Sequence, residues 1–188
     1  MRFYKKLIGD KCYLSPISEQ DVEQWANWFN DLEVTIPLGD EAYTPTNISN
    51  QLYIISDMTK HNAHVFNIVS LKNDDLVGRC VLFSLDRINR HAKFGIVLGE
   101  KSYWNKGFGQ EATKLILDYG FNLLNLNNIM LGVFSYNKGA INCYKKAGFK
   151  EIGRQRQAKI IGGKKYDIVL MDILAEEFTS IFVNKLIE

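Results

Sequence analysis

The sequence predicts an α+β fold with a mixed sheet and flanking helices. Three apolar, β-branched runs, "HVFNIVSL", "LVGRCVLFSL" and "AKFGIVLGE", are separated by the turn signals "KNDD" and "DRINRH", which is typical of an antiparallel meander. After residue 107 the pattern changes, and helices with a helical apolar period alternate with strands. No break in composition divides the 188 residues, so we expect one domain over residues 1–188.

The first part of the chain is predicted to begin with a strand in "KCYLSPIS", followed by two helices. Ser18 is a suitable N-cap for the first helix, and Asp21 places an acid in its first turn. The apolar face of this helix comprises Val22, Trp25, Trp28 and Phe29. An irregular connection, "DLEVTIPLGDEAYTPTN", then leads to a second helix over about 47–59.

The last part of the chain is predicted to contain a helix from Gly107 to about Leu124, then the strand "NIMLGVFS", which is apolar enough to be buried on both faces. A shorter helix covers about 138–146 and ends at Gly148. Two strands flank the turn "GGK". The final stretch, "AEEFTSIFVNKLIE", is predicted as an amphipathic helix that packs on its own domain or on a second copy, so a homodimer or higher oligomer stays open.

Composition argues against several classes of protein. A net charge of +2 with scattered Lys and Arg does not suit a nucleic-acid surface, and no run of about 18 apolar residues predicts a membrane span. Cys12, Cys80 and Cys143 lack the spacing of a zinc or redox site, so we expect no metal centre. Three thiols cannot pair completely, and no signal peptide is evident, so we expect a reduced, cytoplasmic location.

The stretch "YWNKGFGQEA" places a glycine turn at the start of a helix. The first backbone N–H groups of a helix lack internal partners, and Gly107 and Gly109 have no Cβ to keep a phosphate away from them. Lys101 and Lys106 would add positive charge. A turn without a ligand is one alternative. A dinucleotide-binding fold is another, but residues 100–106 separate the turn from its strand, and "NLNNIMLGV" carries no acid for a ribose.

A second motif, "NKGAINCYKKAGF", follows a buried strand and places Asn137, Ala140, Tyr144 and Gly148-Phe149 at fixed offsets. Together with "YWNKGFGQEA", it resembles the GCN5-related N-acetyltransferases (GNAT), specifically the branch of ribosomal-protein N-terminal acetyltransferases and bacterial spermidine acetyltransferases. The resemblance is specific over residues 92–149. It implies the GNAT fold, in which a mostly antiparallel central sheet contains two splayed parallel strands.

The resemblance also implies acetyl-CoA as the cofactor and assigns residues to it. The backbone N–H groups of the turn would hold its pyrophosphate, and Trp104 stands where the family pattern has Gln or Arg. The strand "FGIVLGE" would pair with the pantetheine arm, and Asn137 would contact that arm from the next strand. The implied cofactor-binding residues are Val97, Leu98, Gly99, Lys106, Gly107, Phe108, Gly109, Gln110, Asn137 and Tyr144.

For catalysis, the resemblance implies that Tyr144 protonates the departing thiolate and that the N–H of Leu98 stabilises the oxyanion. A primary amine with a pKa near 10.4 is neutral at pH 7 only about once in 2,500 molecules, so a base is also needed. Glu100 is the first candidate. The other candidates for the base are Ser135, Asp167 and His91.

The acceptor pocket is implied to lie where the first two helices and the late hairpin meet the splayed strands. Residues 31–41 contain four acids and no Lys or Arg, which suits either a rim that attracts a polyamine or an ordinary solvated loop. We therefore expect an N-acetyltransferase whose acceptor is a small, polyamine-like amine or a protein N-terminus. A non-catalytic acyl-CoA-binding module is the alternative, and a nucleotide-dependent oxidoreductase is disfavoured.

Overall fold

An eight-stranded sheet organises residues 2–187, the part of the chain that the computed structural model describes. Its strand order is β1-β2-β3-β4-β5-β6-β8-β7, and all neighbours are antiparallel except the parallel pair β5–β6. The predicted mixed α+β fold is therefore confirmed. The strands are β1 (Leu7–Ile8), β2 (Cys12–Pro16), β3 (His64–Ser70), β4 (Leu76–Asp86), β5 (His91–Leu98), β6 (Asn128–Phe134), β7 (Lys150–Ile161) and β8 (Lys164–Leu174).

Four of the five predicted helices lie close to their expected positions. The hydroxyl of Ser18 accepts from the N–H of Gln20, and the carboxylate of Asp21 accepts from the N–H of Ser18, so these bonds cap a 3₁₀ turn, Glu19–Asp21, that runs directly into the first helix. The connection after it contains a four-residue helix and a 3₁₀ turn over 40–43, which sequence reasoning treated as irregular. The helices are α1 (Val22–Phe29), α2 (Leu32–Thr35), α3 (Ile48–Lys60), α4 (Phe108–Asn122) and α5 (Lys138–Ala147).

The sheet separates two apolar clusters because successive side chains of a strand point to opposite faces. Leu14 belongs to the larger cluster, which contains the buried faces of α4 and α5. Tyr13, its neighbour on β2, belongs to the smaller cluster with Trp25 of α1. The two faces of the sheet are therefore called the α4 face and the α1 face below.

The two parallel strands separate after three residue pairs. β5 pairs with β6 only between His91–Lys93 and Asn128–Met130, whereas β6 keeps pairing with β8 as far as Phe134. From Phe94 onward a gap opens between the strands, which confirms the splay that the family resemblance predicts.

The expectation that β6 is buried on both faces holds only in part. Ile129, Leu131 and Val133 are buried on the α4 face. On the other face Phe134 is buried, but Met130 is half-buried and Gly132 is exposed.

The predicted C-terminal helix is also wrong. Residues 175–187 contain only two 3₁₀ turns, at Ala175–Glu177 and Asn184–Leu186. The buried carboxylate of Asp118 on α4 accepts hydrogen bonds from the N–H groups of Ile181 (2.9 Å), Phe182 (2.7 Å) and Val183 (3.2 Å). Those donors would otherwise serve the carbonyls of a helix, so the segment folds as a strap whose apolar side chains pack against the larger cluster of its own chain.

The closing hairpin agrees with the sequence. Ile161 pairs with Lys164, and Gly162 and Gly163 between them have φ of +56° and +75°. Two consecutive positive φ angles are characteristic of a type I′ turn, which explains the glycine pair. No helix in the described range is long and apolar enough to cross a bilayer.

Candidate functional site

The start of α4 lies at the open end of the gap between β5 and β6. Gly107 caps this helix with φ +87° and ψ −1°, a left-handed conformation that glycine adopts without strain. No side chain caps the helix, and the first intrahelical bond runs from the N–H of Glu111 to the carbonyl of Gly107. The N–H groups of Phe108, Gly109 and Gln110 therefore precede the helical ladder, and such groups at a helix start are potential donors for an anion.

Glycine at position 109 allows this turn to approach its neighbours. A Cβ there would lie 3.3 Å from Cδ1 of Leu98 and 3.7 Å from Sγ of Cys143. The helix start is therefore packed against β5 on one side and α5 on the other, and a larger side chain would displace one of them.

A lysine that the sequence reasoning missed lies beside the turn. A Cβ on Gly107 would be 3.4 Å from Cε of Lys11. The carboxylate of Glu111 accepts from the N–H groups of Asp10 (3.0 Å), Lys11 (2.8 Å) and Cys12 (2.8 Å), which holds the β1–β2 turn against α4. Nothing local in the sequence predicts this contact, because the two segments are about 100 residues apart.

Of the two lysines predicted to add positive charge at the turn, only Lys106 is free of an ion pair within the described residues. Lys106 is exposed and directly precedes the turn. Lys101 instead pairs with Asp31 (2.8 Å) and Glu33 (2.6 Å), so its charge serves the connection after α1. The same contact with Lys101 holds the pKa of the Asp31 carboxyl below its usual value.

Near its end, β5 presents the backbone N–H and the carbonyl of one residue, Leu98, to the gap. A Cβ on Gly78 would lie 2.1 Å from the carbonyl oxygen of Val97, so the Val97 carbonyl points towards β4. Because successive peptide groups of a strand alternate in direction, the N–H and carbonyl of Leu98 face away from β4 and into the gap. The carbonyl of Leu98 accepts from Nε1 of Trp104 at 2.8 Å, which leaves its N–H as the donor. Gly99 follows against Trp28, where a Cβ would lie only 1.9 Å from that ring.

Tyr144 lies beside the point where the strands separate. Its ring packs edge-on against Phe94, the first residue of β5 beyond the paired segment, at a centroid distance of 6.1 Å. Phe149 also packs against Tyr144, at 5.9 Å, and stacks on Phe94 at 6.1 Å, so the three rings form one cluster. Burial raises the pKa of the Tyr144 hydroxyl above its usual value, so the phenol is protonated at neutral pH.

Asn137 is already engaged by the protein. Its Oδ1 accepts from the N–H of Ala140 (3.0 Å) and caps α5, while its Nδ2 donates to the carbonyl of Pro37 (3.2 Å). The side chain therefore ties the connection after α2 to the start of α5. The contact with a cofactor arm stays a prediction.

The four candidate bases are dispersed. Glu100 follows β5, accepts from the hydroxyl of Ser102 at 3.1 Å and lines a cavity of about 400 Å³ on the α1 face. Ser135 and Asp167 bond to each other between β6 and β8, through Ser135 N–H to the Asp167 carbonyl (2.9 Å) and Asp167 N–H to Ser135 Oγ (3.2 Å). His91 stands at the closed end, seven residues and about 23 Å of extended strand from Leu98.

The acidic connection, residues 31–43, contacts the end of β6 and the far end of β7. The hydroxyl of Tyr136 donates to the carbonyl of Ile36 (2.6 Å), and that of Tyr43 donates to the carbonyl of Ile160 (3.0 Å). Asp40 lies 3.2 Å from Nζ of the buried Lys159. Three of the four acids are thus in ion pairs, and Glu41 is the one for which no ion pair occurs within residues 2–187.

Sequence reasoning also missed Arg79, a buried arginine in the apolar run "LVGRCVLFSL" of β4. The sequence does contain a signal for it, because Arg79 is a charged residue within an otherwise apolar strand, where charged side chains are rarely buried without a partner. Within the described range, no group of three or more His, Cys, Asp or Glu side chains could hold a metal ion.

Comparisons with known proteins agree with this geometry. The acetyltransferase (GNAT) domain family model matches residues 11–150. The chain is 32% identical over 174 residues to the probable N-acetyltransferase YjcK of Bacillus subtilis (strain 168), covering 89% of this chain and 96% of that protein. It is 27% identical over 165 residues to the spermidine N(1)-acetyltransferase of Escherichia coli (strain K12), covering 88% and 87%. The structure of spermidine N-acetyltransferase from Vibrio cholerae in complex with CoA and spermine matches with a TM-score of 0.75 and 24% identity, over 88% of this chain and 96% of that one.

Proposed function

The chain belongs to the GNAT acetyltransferases, enzymes that use acetyl-CoA, and we propose that it acetylates the primary amine of a small molecule. The observation that carries this proposal is the uncapped N-terminus of α4 at the open end of two splayed strands. That arrangement combines an anion-binding turn with a slot for an extended arm.

The residues of the turn fit the diphosphate of coenzyme A. We assign its binding to the N–H groups of Lys106, Gly107, Phe108, Gly109 and Gln110, and add the ammonium of Lys11. The glycines support this assignment because they let the turn pack closely, Gly109 against Leu98 and Cys143 and Gly107 beside the side chain of Lys11. Val97, Leu98 and Gly99 would line the pantetheine arm, and Leu98 would supply the backbone N–H that faces the gap.

When bound, acetyl-CoA supplies an acetyl thioester. The N–H of Leu98 donates to the carbonyl oxygen on which negative charge develops, which is the usual role of a fixed backbone donor in acyl transfer. Tyr144 holds the proton for the departing sulfur. Its burial beside Phe94 and Phe149 excludes water from the ring and keeps the hydroxyl neutral.

We assign removal of the amine proton to Glu100, acting through water. Asp167 is the other carboxylate beside the gap, but its Oδ1 already accepts from the N–H of Gln157 at 2.9 Å, and Arg154 lies 4.0 Å from its Oδ2. Within the described residues, Glu100 accepts only the hydroxyl of Ser102, so its carboxylate is less engaged than that of Asp167.

Polyamines are the acceptors that the relatives' names support, since the matched proteins from E. coli and V. cholerae are named for spermidine. The acidic connection adds less support than its sequence suggests, because Lys101 and Lys159 offset part of its charge. A protein N-terminus is the second candidate acceptor.

We also propose a cytoplasmic location, because acetyl-CoA is an intracellular metabolite and all three cysteines are thiols.

An amine panel tests the proposal. The protein is mixed with acetyl-CoA and separately with polyamines, amino acids, their decarboxylated amines and a peptide with a free N-terminus. Release of CoA thiol is followed together with the mass of the product. Amine-dependent thiol release with a product 42 Da heavier than the amine, the mass that one acetyl group adds, is expected. Tight CoA binding without release for any amine would favour the non-catalytic acyl-CoA-binding module instead.

A further inference from the structure

Arg79 is a buried cation held between aromatic rings. It is only 9% exposed, in the middle of β4 on the α1 face. Its guanidinium carbon lies 4.7 Å from the ring centroid of Trp25 and 4.6 Å from that of Phe29. Stacking on rings uses the flat faces of a guanidinium and leaves the N–H groups at its edge for hydrogen bonds.

That edge lacks an anionic partner. Nη1 of Arg79 has no hydrogen-bond acceptor among residues 2–187, and no carboxylate of these residues forms an ion pair with it. The indole N–H of Trp25 beside it is also without an acceptor. Burial lowers the pKa of Arg79 to about 10, and the charge of Glu41 opposes this shift, so the guanidinium is charged at neutral pH. A buried charge without a counter-charge is unfavourable, which makes a missing anionic ligand the physical explanation to test.

Arg79 lies next to the end of β5 at which, in the proposed function, the N–H of Leu98 contacts the thioester. Its backbone partner on β5 is Val97, and the following residue, Leu98, presents its N–H to the gap. The helix α4, where the diphosphate binds in the proposed function, is on the other face of the sheet. Arg79 therefore lies on the side from which an acceptor approaches.

Glu41 lies across this approach. A Cβ on Gly39 would be 3.2 Å from Oε2 of Glu41 and 3.5 Å from Cε2 of Phe134, which places this carboxylate beside the end of β6. Arg79 and Glu41 thus bring opposite charges to the acceptor side without forming an ion pair with each other. A ligand that carries an amine and a carboxylate would complement both.

An ordered water is the competing explanation. Asn67 is paired with Arg79 on the neighbouring strand, and its Oδ1 is also buried without a donor. One water could bridge Asn67 Oδ1 and Arg79 Nη1. Such a water would satisfy two hydrogen-bonding groups, but it would leave the positive charge without a counter-charge. A carboxylate satisfies the donor and the charge together.

We propose that Arg79 binds a carboxylate of the acceptor, so that the acceptor is an amino acid or a similar amine that also carries a carboxylate. This inference rests on the proposed N-acetyltransferase function and narrows its acceptor. A polyamine would bring only positive charge to Arg79, so the inference disfavours polyamines in this chain.

Matched pairs of acceptors test the role of Arg79. Each pair is an amino acid and the amine left by its decarboxylation: lysine and cadaverine, ornithine and putrescine, phenylalanine and phenethylamine. Thiol release at saturating acetyl-CoA gives kcat/KM for each, with wild type, Arg79→Met, Arg79→Lys and the control Arg87→Met. Arg87 is an exposed arginine in the turn between β4 and β5.

Wild type and Arg87→Met are expected to prefer the carboxylate member of at least one pair by about ten-fold or more, the effect of a hydrogen bond to a charged group. Arg79→Met is expected to abolish that preference, mainly by raising KM for the amino acid. Arg79→Lys keeps the charge and should restore part of the preference even if Arg79→Met folds poorly.

Two outcomes overturn the inference. One is a wild-type preference for the decarboxylated member, or none, in every pair; the other is an equal loss for both members in Arg79→Lys, as a structural or water-binding role would produce. Thiol release without a carboxylate preference overturns the role of Arg79 alone. No release with any amine overturns the proposed function as well.

Discussion

The indole Nε1–H of Trp104 donates a 2.8 Å hydrogen bond to the carbonyl oxygen of Leu98. Trp104 occupies the first position of the glycine signature, six residues after Leu98, and its side chain returns to the end of β5. The bond holds the Leu98–Gly99 peptide plane, which directly follows the peptide whose N–H, that of Leu98, faces the gap. A residue that looks like a departure from the family pattern therefore has a specific structural contact.

Replacing Trp104 by Phe should weaken catalysis without unfolding the protein. The substitution keeps an aromatic ring but removes the donor, which costs about 1 kcal/mol for a typical hydrogen bond. We expect kcat/KM to fall roughly five-fold, mostly in kcat, because the Leu98 peptide is less well fixed. Steady-state kinetics at saturating acetyl-CoA measures this. An unchanged kcat would mean that the hydrogen bond does not orient a functional N–H.

Replacing Tyr144 by Phe should lower kcat about 100-fold, within the usual range for loss of a positioned general acid. The affinity for CoA should change less than about two-fold, because the ring packing against Phe94 and Phe149 is retained. Since burial raises the pKa of this hydroxyl, wild-type kcat/KM should rise between pH 7 and 9 as the amine loses its proton, without a fall caused by tyrosine ionisation. Full activity of the Phe variant would remove Tyr144 from the mechanism.

Replacing Gly107 by Ala should reduce both stability and CoA binding. An alanine at φ +87° costs about 1–2 kcal/mol, and its Cβ would meet Lys11 at 3.4 Å. We expect the dissociation constant for CoA to rise about ten-fold as the cradle is disturbed. Gly153→Ala is the matched control, because a Cβ there meets nothing within 4 Å and its φ is not positive. Equal effects of the two substitutions on CoA binding would contradict the assigned cradle.

Replacing Asp118 by Asn should release the C-terminal strap. The carboxylate receives Ser180 and three backbone N–H groups, and its charge makes these bonds worth about 2–3 kcal/mol together. Urea denaturation at pH 7 should show this loss, and limited proteolysis should cut after residue 177. Glu176→Gln, an exposed substitution on the same segment, is the control.

The same carboxylate should make stability depend on pH. Burial alone would raise the pKa of Asp118, but the bonds from Ser180, Asn122 and the backbone outweigh it and lower the pKa below the usual value. A lowered native pKa stabilises the fold above the unfolded pKa of about 3.9, and this contribution is lost as pH falls through the native pKa. The Asn variant should lack this acid-dependent component. Identical acid denaturation of both proteins would contradict the role given to Asp118.

Periodicity and turn residues predicted most of the fold because they report local geometry. The three-strand meander follows from alternating apolar runs, and the type I′ hairpin follows from Gly162-Gly163. The C-terminal segment has an equally good helical period, yet Asp118, about 60 residues earlier, takes its backbone donors. The local sequence pattern cannot predict that a side chain distant in sequence will accept these hydrogen bonds in place of the helical carbonyls.

In the candidate site, too, the features set by local sequence were predictable and those set by tertiary contacts were not. The turn at Gly107 was predictable because two glycines directly precede an apolar helical period. Glycine adopts without strain the left-handed backbone conformation that residue 107 has here. The contact with Lys11 and the pairing of Lys101 with Asp31 depend on tertiary approach, so the sequence alone did not reveal them. Arg79 was visible as a charge in an apolar strand, but its lack of a partner could be seen only in three dimensions.

The central claim is that the donors at the start of α4 bind the diphosphate of coenzyme A. Calorimetric titration of the protein with CoA and with pantetheine, which lacks the diphosphate and nucleotide, tests it most directly. We predict that CoA binds at least about 100-fold more tightly than pantetheine and that Gly107→Ala narrows this difference. Equal affinities, or no binding of CoA at all, would contradict the account.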